Sequence, residues 1–159
     1  MGKLFFISPS KGQLSFAEMM EDVKQYIQGI PSSSYKIIVG TDSMVRDDTC
    51  FISAVVVHRL GKGARYYYRK KSQTKIKSLR QKIFYETALS LELGGQIAKL
   101  FSENGYSEMP VEIHIDVGTQ GETRSLIKEV VGMVTGSGFQ AKIKPDAYGA
   151  SCVADKHTK

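Results

Sequence analysis

Four apolar residues near the start of the chain recur three to four positions apart: Phe16, Met20, Val23 and Ile27. This spacing places their side chains on one face of a helix. Ser15 and Glu18 form the pattern of a capping box, which starts a helix, and Gly29 and Pro31 end the periodicity. The sequence therefore predicts an amphipathic helix within an N-terminal helical extension, residues 1–34.

The pattern then changes to short runs rich in β-branched or aromatic residues, separated by turn residues. Three such runs follow one another: Lys36–Asp42, Phe51–Val57 and Ala64–Arg69. Apolar segments of this length with Asp or Gly between them are typical of hairpins. The sequence predicts three strands that pair as a meander.

Helical and strand patterns alternate in the rest of the chain. A long helix is predicted from Ile76 to Asn104 and ends at Gly105. A strand, a helix, a strand and a final helix are predicted after it: Val111–Asp116, Glu122–Thr135, Phe139–Ile143 and Asp146–Asp155. Antiparallel strands followed by alternating helices and strands imply an α/β fold, with one mixed sheet and helices on both of its faces.

Length and composition are typical of one soluble domain spanning residues 1–159. The chain is 42% hydrophobic and 24% charged, and a chain of this length buries roughly 70% of its unfolded surface. Disordered chains and disulfide-rich scaffolds are thereby excluded. The two cysteines, Cys50 and Cys152, form no metal-ligand or redox motif. Without a signal peptide or a membrane-spanning run, a cytoplasmic protein with no membrane partner is expected.

Positive charge is concentrated in residues 58–82, here called the basic segment. This segment contains ten Lys and Arg residues and no Asp or Glu, although the net charge of the whole chain is only +6. It also contains three consecutive tyrosines, Tyr66 to Tyr68. Such a block is typical of a surface that binds a polyanion, and the expected partner is nucleic acid. A solvated basic hairpin is the alternative, and the charge pattern alone favours neither.

Two acidic residues end predicted strands at matched places. Asp42 follows the apolar run of the first predicted strand, and Asp116 follows that of the fourth. In open α/β sheets, ligands bind in the crevice beyond the carboxyl ends of the strands. Either residue alone is as well explained by a turn, but two at equivalent places favour a functional site.

A third acid interrupts the apolar stripe of the long helix. On a helical wheel, Glu86 shares one face with five other residues: Leu79, Ile83, Ser90, Leu93 and Ile97. A carboxylate on a buried face must be paired, neutralised or bound to metal. The alternative to a metal site is an ion pair with Arg80 or Lys82.

A fourth acid, Asp155, lies in the last predicted helix among small side chains. Carboxylates that converge on a small volume repel one another, and a divalent cation relieves that repulsion. With oxygen ligands and no Cys or His set, Mg²⁺ or Mn²⁺ is favoured over Zn²⁺. The four acids therefore predict a divalent-metal cluster.

Five segments stand out as motifs: Val39-Gly40-Thr41-Asp42-Ser43, Glu86-Thr87, His114-Ile115-Asp116-Val117-Gly118, Lys144-Pro145-Asp146 and Val153-Ala154-Asp155-Lys156. Together they resemble the ribonuclease H-like superfamily and, within it, the small bacterial YkuK-type family of predicted nucleases. The resemblance covers nearly the whole chain from Ile38 onward. It implies a five-stranded mixed sheet in the order 3-2-1-4-5, with strand 2 antiparallel.

The resemblance also implies an acidic tetrad, matched here by Asp42, Glu86, Asp116 and Asp155. The implied activity is hydrolysis of phosphodiester bonds in RNA, DNA or an RNA–DNA hybrid, with two Mg²⁺ or Mn²⁺ ions roughly 4 Å apart. Asp146 competes with Asp155 as the fourth acid, but Asp146 is a natural helix N-cap, which favours Asp155.

The resemblance assigns each acid a role. Asp42 would bridge both ions, while Asp116 and Glu86 would hold the ion near the leaving group. Asp155 would hold the ion that activates the attacking water, and the product would carry a 5′-phosphate. Ser43 is expected to hydrogen-bond the substrate backbone. A basic run beside the site is expected to hold phosphates: Arg69, Lys70 and Lys71.

Two other functions compete with this one. Asp116 to Thr119 also resembles the phosphate-contacting DxGT motif of actin-like ATPases and sugar kinases, but those proteins clasp nucleotide between two such domains. The second competitor is an inactive nucleic-acid-binding module of the same fold. Such a module would neither cleave with Mg²⁺ or Mn²⁺ nor lose affinity for nucleic acid when the acids become amides.

Overall fold

The structure is a computed structural model that describes residues 5–119 and 121–144. It contains a mixed sheet whose strands are β1 (Phe6–Ser8), β2 (Gly12–Leu14), β3 (Tyr35–Val45), β4 (Thr49–Arg59), β5 (Gly63–Gln73), β6 (Val111–Gly118) and β7 (Gln140–Lys144). Their order across the sheet is β2-β1-β5-β4-β3-β6-β7. The described helices are α1 (Phe16–Gly29), α2 (Leu79–Glu103) and α3 (Ile127–Gly136), and a 3-10 turn (Arg124–Leu126) precedes α3.

The predicted α/β class and the five-stranded arrangement are confirmed within this sheet. The strands β5-β4-β3-β6-β7 correspond to the order 3-2-1-4-5, and β4 is antiparallel to both of its neighbours. The sheet is larger than predicted, because the hairpin β1–β2 adds two strands beside β5. Each of these strands has only three residues, too few to produce a recognisable alternation.

The predicted helices are present with shifted ends. The capping box of Ser15 and Glu18 starts α1 as predicted. The long helix begins at Leu79 rather than Ile76, because Ser78 accepts a hydrogen bond from the Gln81 N–H and caps it. The helix predicted at Glu122–Thr135 divides into the 3-10 turn and α3. The predicted final helix, residues 146–155, lies outside the described residues.

One hydrophobic cluster joins all three described helices to the same face of the sheet. The sequence predicts helices on both faces, and among the described residues only one face carries them; the helix predicted at 146–155 lies outside those residues. Members of this cluster occupy every second position of a strand, as Ile37 and Val39 do on β3. Gly94 allows α2 to approach β6 closely, since a Cβ at this position would lie 2.9 Å from Ile113 Cδ1. The long helix is therefore held at a fixed distance above β3 and β6. Within the part of the chain that the structure describes, none of the helices combines the length and apolar character that crossing a bilayer requires.

A buried carboxylate ties the N-terminal elements to the sheet. Asp22 of α1 is only 4% exposed and accepts a hydrogen bond from the Tyr67 hydroxyl of β5. Lys11 Nζ, from the β1–β2 turn, lies 2.7 Å from Asp22 Oδ1, and Arg65 Nη1 lies 3.3 Å from Oδ2. Burial alone would raise the pKa of Asp22, but the hydrogen bonds from Lys11 and Tyr67 and the charge of Arg65 outweigh burial and lower it. The carboxylate is thus ionised in the folded protein.

Asp22→Ala is expected to destabilise the protein by about 2 kcal/mol, because it leaves the buried Tyr67 hydroxyl without its acceptor. The control is Glu21→Ala, which removes a neighbouring acid that is 61% exposed and forms an ion pair with Lys24. We expect that control to melt within about 1 °C of wild type. Thermal melting at pH 7 measures both, and equal melting temperatures for the two variants would contradict a structural role for Asp22.

Candidate metal centre

Two acidic side chains lie where two parallel strands separate. The parallel pairing of β3 with β6 ends at Gly40 and His114, and Asp42 and Asp116 come two residues after those positions. The chain order reverses here, because β3 has β4 on one side and β6 on the other. Ligands of open α/β sheets bind outside the strand ends at such a switch point. Asp42 does not end its strand as predicted, because β3 stays paired with β4 as far as Val45.

The third acid reaches this point from α2. Glu86 is 4% exposed and lies on the buried side of the helix together with Ile83 and Leu93, as the helical wheel predicted. Asp42, Glu86 and Asp116 each offer a carboxylate oxygen, and these oxygens lie within 4.8 Å of one another. We call these three residues the acidic trio.

The alternative ion pair for Glu86 is not formed. Arg80 pairs instead with Glu129 of α3, with Nη2 2.6 Å from Oε2. Lys82 acts on Glu86 only through a weak electrostatic attraction. The Ser43 hydroxyl donates a hydrogen bond to Glu86 Oε2, whereas the buried Oε1 has no hydrogen-bond partner among the described residues. A buried carboxylate oxygen without a partner is costly unless a proton or a cation compensates it.

The electrostatics of the acidic trio favour a proton on Glu86 when no cation is bound. Burial raises the pKa of Glu86 to about 8; the Ser43 hydrogen bond opposes this rise, and the charges of Asp42 and Asp116 add to it. Repulsion between carboxylates and loss of hydration act in the same direction. The site therefore carries less negative charge at neutral pH than three ionised acids would.

The residues present fit a divalent metal ion. The donor set consists of carboxylate oxygens, which Mg²⁺ and Mn²⁺ prefer. The unpartnered Oε1 of Glu86 supplies a lone pair that no described protein group uses. A dication would relieve both the repulsion within the trio and the raised pKa of Glu86.

A chain of buried hydroxyl groups fixes α2 against the sheet beside the acidic trio. Thr41 Oγ1 lies 2.9 Å from Ser53 Oγ and 2.8 Å from Ser90 Oγ. Thr41 precedes Asp42 in the chain, and Ser90 lies one helical turn after Glu86. These hydrogen bonds join the strand that carries one acid to the helix that carries another. They therefore position Glu86 relative to Asp42.

Sequence reasoning missed a cation at the site. Lys144, the last residue of β7, places Nζ 2.6 Å from Asp116 Oδ1. Its hydrogen bond to Asp116 raises the pKa of Lys144, and the negative charges of Asp42 and Glu86 add to that rise. In the sequence, Lys144 directly follows the predicted strand Phe139–Ile143, as the two aspartates end theirs, so the same strand-end argument applies to it.

The three predicted phosphate-binding residues do not lie on one face. Arg69 lies over the Phe6 ring at 5.0 Å, and Lys71 Nζ lies 5.4 Å from the centre of the Tyr85 ring of α2. Lys70 points to the other face, because neighbouring residues of a strand alternate. There it lines a cavity of about 140 Å³ with four other residues: Met44, Arg46, Asp48 and Cys50. Lys70 pairs with Ile52, which pairs with Asp42, so the Lys70 and Asp42 backbones are two strand spacings apart, about 10 Å.

The remaining predicted site residues have different outcomes. Ser43, predicted to contact the substrate backbone, donates its hydroxyl hydrogen bond to Glu86. Asp155 and its competitor Asp146 lie outside the described residues. His114 belongs to one of the five motifs and is not among the predicted site residues. It lies on β6 near Asp116 and is 6% exposed, and its Nε2 lies 3.2 Å from Glu112 Oε1. Burial lowers the pKa of His114, although the Glu112 carboxylate opposes that shift.

Comparison with known proteins agrees with this architecture. A protein from Bacillus subtilis (strain 168), named uncharacterized protein YkuK, is 40% identical to the chain, and the alignment covers 97% of this chain and 96% of that protein. A family model described as Ribonuclease H-like matches residues 18–159. That range includes all three members of the acidic trio and the five strands of the predicted order. The chain therefore belongs to the ribonuclease H-like family, and its YkuK-type resemblance is confirmed.

Proposed function

We propose that the protein is a divalent-metal-dependent nuclease that hydrolyses phosphodiester bonds in RNA, DNA or an RNA–DNA hybrid. The observation that carries the proposal is the acidic trio at the switch point of the sheet, with the buried Oε1 of Glu86 free to bind a cation. Family membership supports the same activity, since the trio occupies three positions of the tetrad that the resemblance implies. The cofactor we propose is a pair of Mg²⁺ or Mn²⁺ ions.

The three members of the acidic trio come from three elements and differ in exposure. Asp42 and Asp116 are half-buried on the sheet, so a metal ion that they bind can also contact a substrate phosphate, whereas Glu86 is buried on α2. Bound divalent ions supply positive charge to a scissile phosphate and lower the pKa of the attacking water. We propose Asp155 as the fourth ligand. The work of the protein is to hold these carboxylates in place and to orient the substrate.

Substrate orientation is assigned to the basic segment. Lys70 lies in register with Asp42 and is exposed, so it can hold a phosphate near the metal centre. Lys71 lies on the α2 face, beside Tyr85, the residue that precedes Glu86. Cationic side chains on both faces of β5 can therefore contact a nucleic-acid backbone that crosses the end of the sheet. Binding through such contacts weakens as salt rises.

The ATPase-like interpretation of the DxGT motif has less support. In that interpretation the segment after Asp116 contacts a nucleotide phosphate. Here the N–H of Gly118, the last residue of β6, donates a hydrogen bond to Thr123 Oγ1 at 3.1 Å. This donor is thus used by the protein itself, which favours the nuclease over the nucleotide-binding alternative.

Mn²⁺ is expected to raise the melting temperature of the wild-type protein by about 5–10 °C when its concentration is 100 times the dissociation constant. The rise should disappear in the double variant Asp42→Asn, Asp116→Asn, which removes two carboxylates of the acidic trio. The matched control is Glu103→Gln, Glu108→Gln, which removes the same charge at two exposed positions and should keep the full rise. Thermal melting and calorimetry measure the effect, first on protein alone and then with oligonucleotide present.

Cleavage assays complete the test. The wild type and both double variants are incubated with labelled single-stranded RNA, single-stranded DNA and RNA–DNA hybrid, with Mg²⁺, with Mn²⁺ or with chelator. Cleavage that requires metal and the two aspartates supports the nuclease. Nucleic-acid binding that survives the aspartate substitutions, without any metal-dependent cleavage or stabilisation, would favour the inactive binding module instead.

A further inference from the structure

Lys144 brings a positive charge directly into the acidic trio. Its Nζ lies 2.6 Å from Asp116 Oδ1, and its side chain is 54% exposed. Asp116 itself is 25% exposed, so the pair lies at the open side of the site. The pair therefore joins the last residue of β7 to a member of the acidic trio.

The position of the ammonium group creates a conflict with metal binding. A divalent ion held by the acidic trio needs an oxygen of Asp116, and Lys144 already holds Oδ1, one of the two oxygens of that carboxylate. An ammonium group and a dication also repel each other at this separation. The Lys144 side chain is long and more than half exposed, so it can leave Asp116 by rotation without disturbing the core.

We propose that Lys144 is a competing internal cation of the metal centre, which neutralises Asp116 in the metal-free protein and is displaced when a divalent ion binds. The inference rests on the proposed function, since it assumes that the acidic trio binds metal. The consequence is a lower affinity for metal: the protein needs a higher free metal concentration for binding than it would need without Lys144. Lys144 is thus a residue that sets metal affinity and not a metal ligand.

The test compares Lys144→Gln with a matched control. Lys142→Gln removes the same charge two residues earlier on β7, where the lysine side chain is likewise partly accessible. Because surface ion pairs are weak and metal repulsion is screened, we expect Lys144→Gln to bind Mn²⁺ about fivefold more tightly than wild type. Lys142→Gln should stay within about twofold of wild type. Isothermal calorimetry with Mn²⁺, without nucleic acid, measures all three.

Thermal melting gives a second readout. Without metal, Lys144→Gln should melt below wild type, because the acidic trio then lacks its internal counterion. With saturating Mn²⁺ that deficit should shrink or reverse, because the ion no longer has to displace an ammonium group. A lysine with a purely structural role would lower both melting temperatures equally and would leave the affinity for Mn²⁺ unchanged.

The outcomes separate this inference from the proposed function. Equal or weaker Mn²⁺ binding by Lys144→Gln, with binding still lost in Asp116→Asn, would overturn the competing-cation role and leave the metal centre intact. Unchanged Mn²⁺ binding in Asp116→Asn would show that the metal does not use this carboxylate, and the proposed function would fail with it. Tighter binding in Lys144→Gln but not in Lys142→Gln supports the inference.

Discussion

Asp42→Asn is expected to reduce metal-dependent cleavage by at least about a thousandfold. Removal of a single preorganised electrostatic group from an active site commonly costs two to three orders of magnitude, and Asp42 is one of the three carboxylates proposed to bind the metal. The amide keeps one oxygen but loses the negative charge that binds a dication. Initial rates on the best substrate of the cleavage panel, with Mg²⁺ and with Mn²⁺, measure the loss.

The fold should survive this substitution. Asp42 is half-buried, and its Oδ1 accepts a hydrogen bond from the Ser43 N–H at 2.9 Å, which an asparagine Oδ1 can also accept. The substitution also removes one of the charges that repel the Glu86 carboxylate. We therefore expect the metal-free variant to melt no lower than wild type. Loss of activity then reports on chemistry and not on unfolding.

A control five residues away distinguishes the loss of this particular carboxylate from the loss of one negative charge. Asp47→Asn removes the same charge in the exposed turn between β3 and β4, and it should keep wild-type cleavage. Near-wild-type cleavage by a pure preparation of Asp42→Asn would contradict the assignment of Asp42 as a metal ligand. Equal loss of activity in both variants would indicate that net charge, rather than this carboxylate, controls the reaction.

The three acids could be predicted because the pattern of neighbouring apolar residues in the sequence locates each of them. A β-branched run followed by an acid places Asp42 and Asp116 near the ends of strands, and 3.6-residue periodicity places Glu86 on the buried face of α2. Parallel neighbours then bring the strand ends together. The order of the five predicted strands needed the family resemblance in addition, since short strands alone fit several topologies.

Other features depend on contacts that no local pattern encodes. The strands β1 and β2 are three residues long, and β1 is fixed by pairing with Tyr68 more than 60 residues away. The hydroxyl contact of Thr41 with Ser90 joins positions 49 residues apart. The Lys144 ion pair with Asp116 depends on the register of β7 against β6. Long-range register determines each of these, and it appears only in the folded sheet.

Lys70 faces the opposite side of β5 from Arg69 and Lys71, which strand geometry alone could have predicted. The sequence prediction groups Arg69, Lys70 and Lys71 as one phosphate-binding run, although consecutive residues of a strand face opposite sides. The structure separates Lys70 from its two neighbours for this reason. A basic run within a strand therefore divides its charge between two surfaces, whereas the same run in a loop would not.

Metal binding is expected to release close to one proton from Glu86 at pH 7. Burial raises the pKa of Glu86 to about 8 in the metal-free protein, so most molecules carry the proton at neutral pH. A dication stabilises the ionised carboxylate and forces the proton into solution. Lys144 keeps its proton when it is displaced, because its ordinary pKa of 10.5 is far above 7. The released proton therefore reports on Glu86.

Calorimetry in several buffers counts this proton. The apparent enthalpy of Mn²⁺ binding varies linearly with the ionisation enthalpy of the buffer, and the slope is the number of protons released. We expect well over half a proton for wild type at pH 7 and almost none at pH 9, where Glu86 is already ionised. Glu86→Gln should show a slope near zero at both pH values. A slope near zero for wild type at pH 7 would contradict a protonated, metal-binding Glu86.

The same raised pKa makes the stability of the metal-free protein depend on pH. Between the ordinary value of 4.5 and the folded value of about 8, the folded protein binds more protons at Glu86 than the unfolded chain does. The contribution of Glu86 to the free energy of unfolding is therefore fully present below pH 4.5 and decreases as the pH rises towards 8. A glutamine cannot ionise and can still accept the Ser43 hydrogen bond, so Glu86→Gln avoids this loss.

Metal-free Glu86→Gln is consequently expected to be more stable than wild type at pH 8, by at least about 2 kcal/mol, since each unit of pKa shift corresponds to about 1.4 kcal/mol. The two proteins should have similar stability near pH 4.5. Saturating Mn²⁺ should reverse the order at pH 8, because only the wild type gains the full binding energy of the ion. Denaturant unfolding at both pH values, with Mn²⁺ and with chelator, measures these differences. Glu86→Gln could instead be the less stable protein in chelator at pH 8. Glu86 would then stabilise the fold as an ordinary hydrogen-bond acceptor for Ser43, which would contradict a metal-binding role for its unpartnered oxygen.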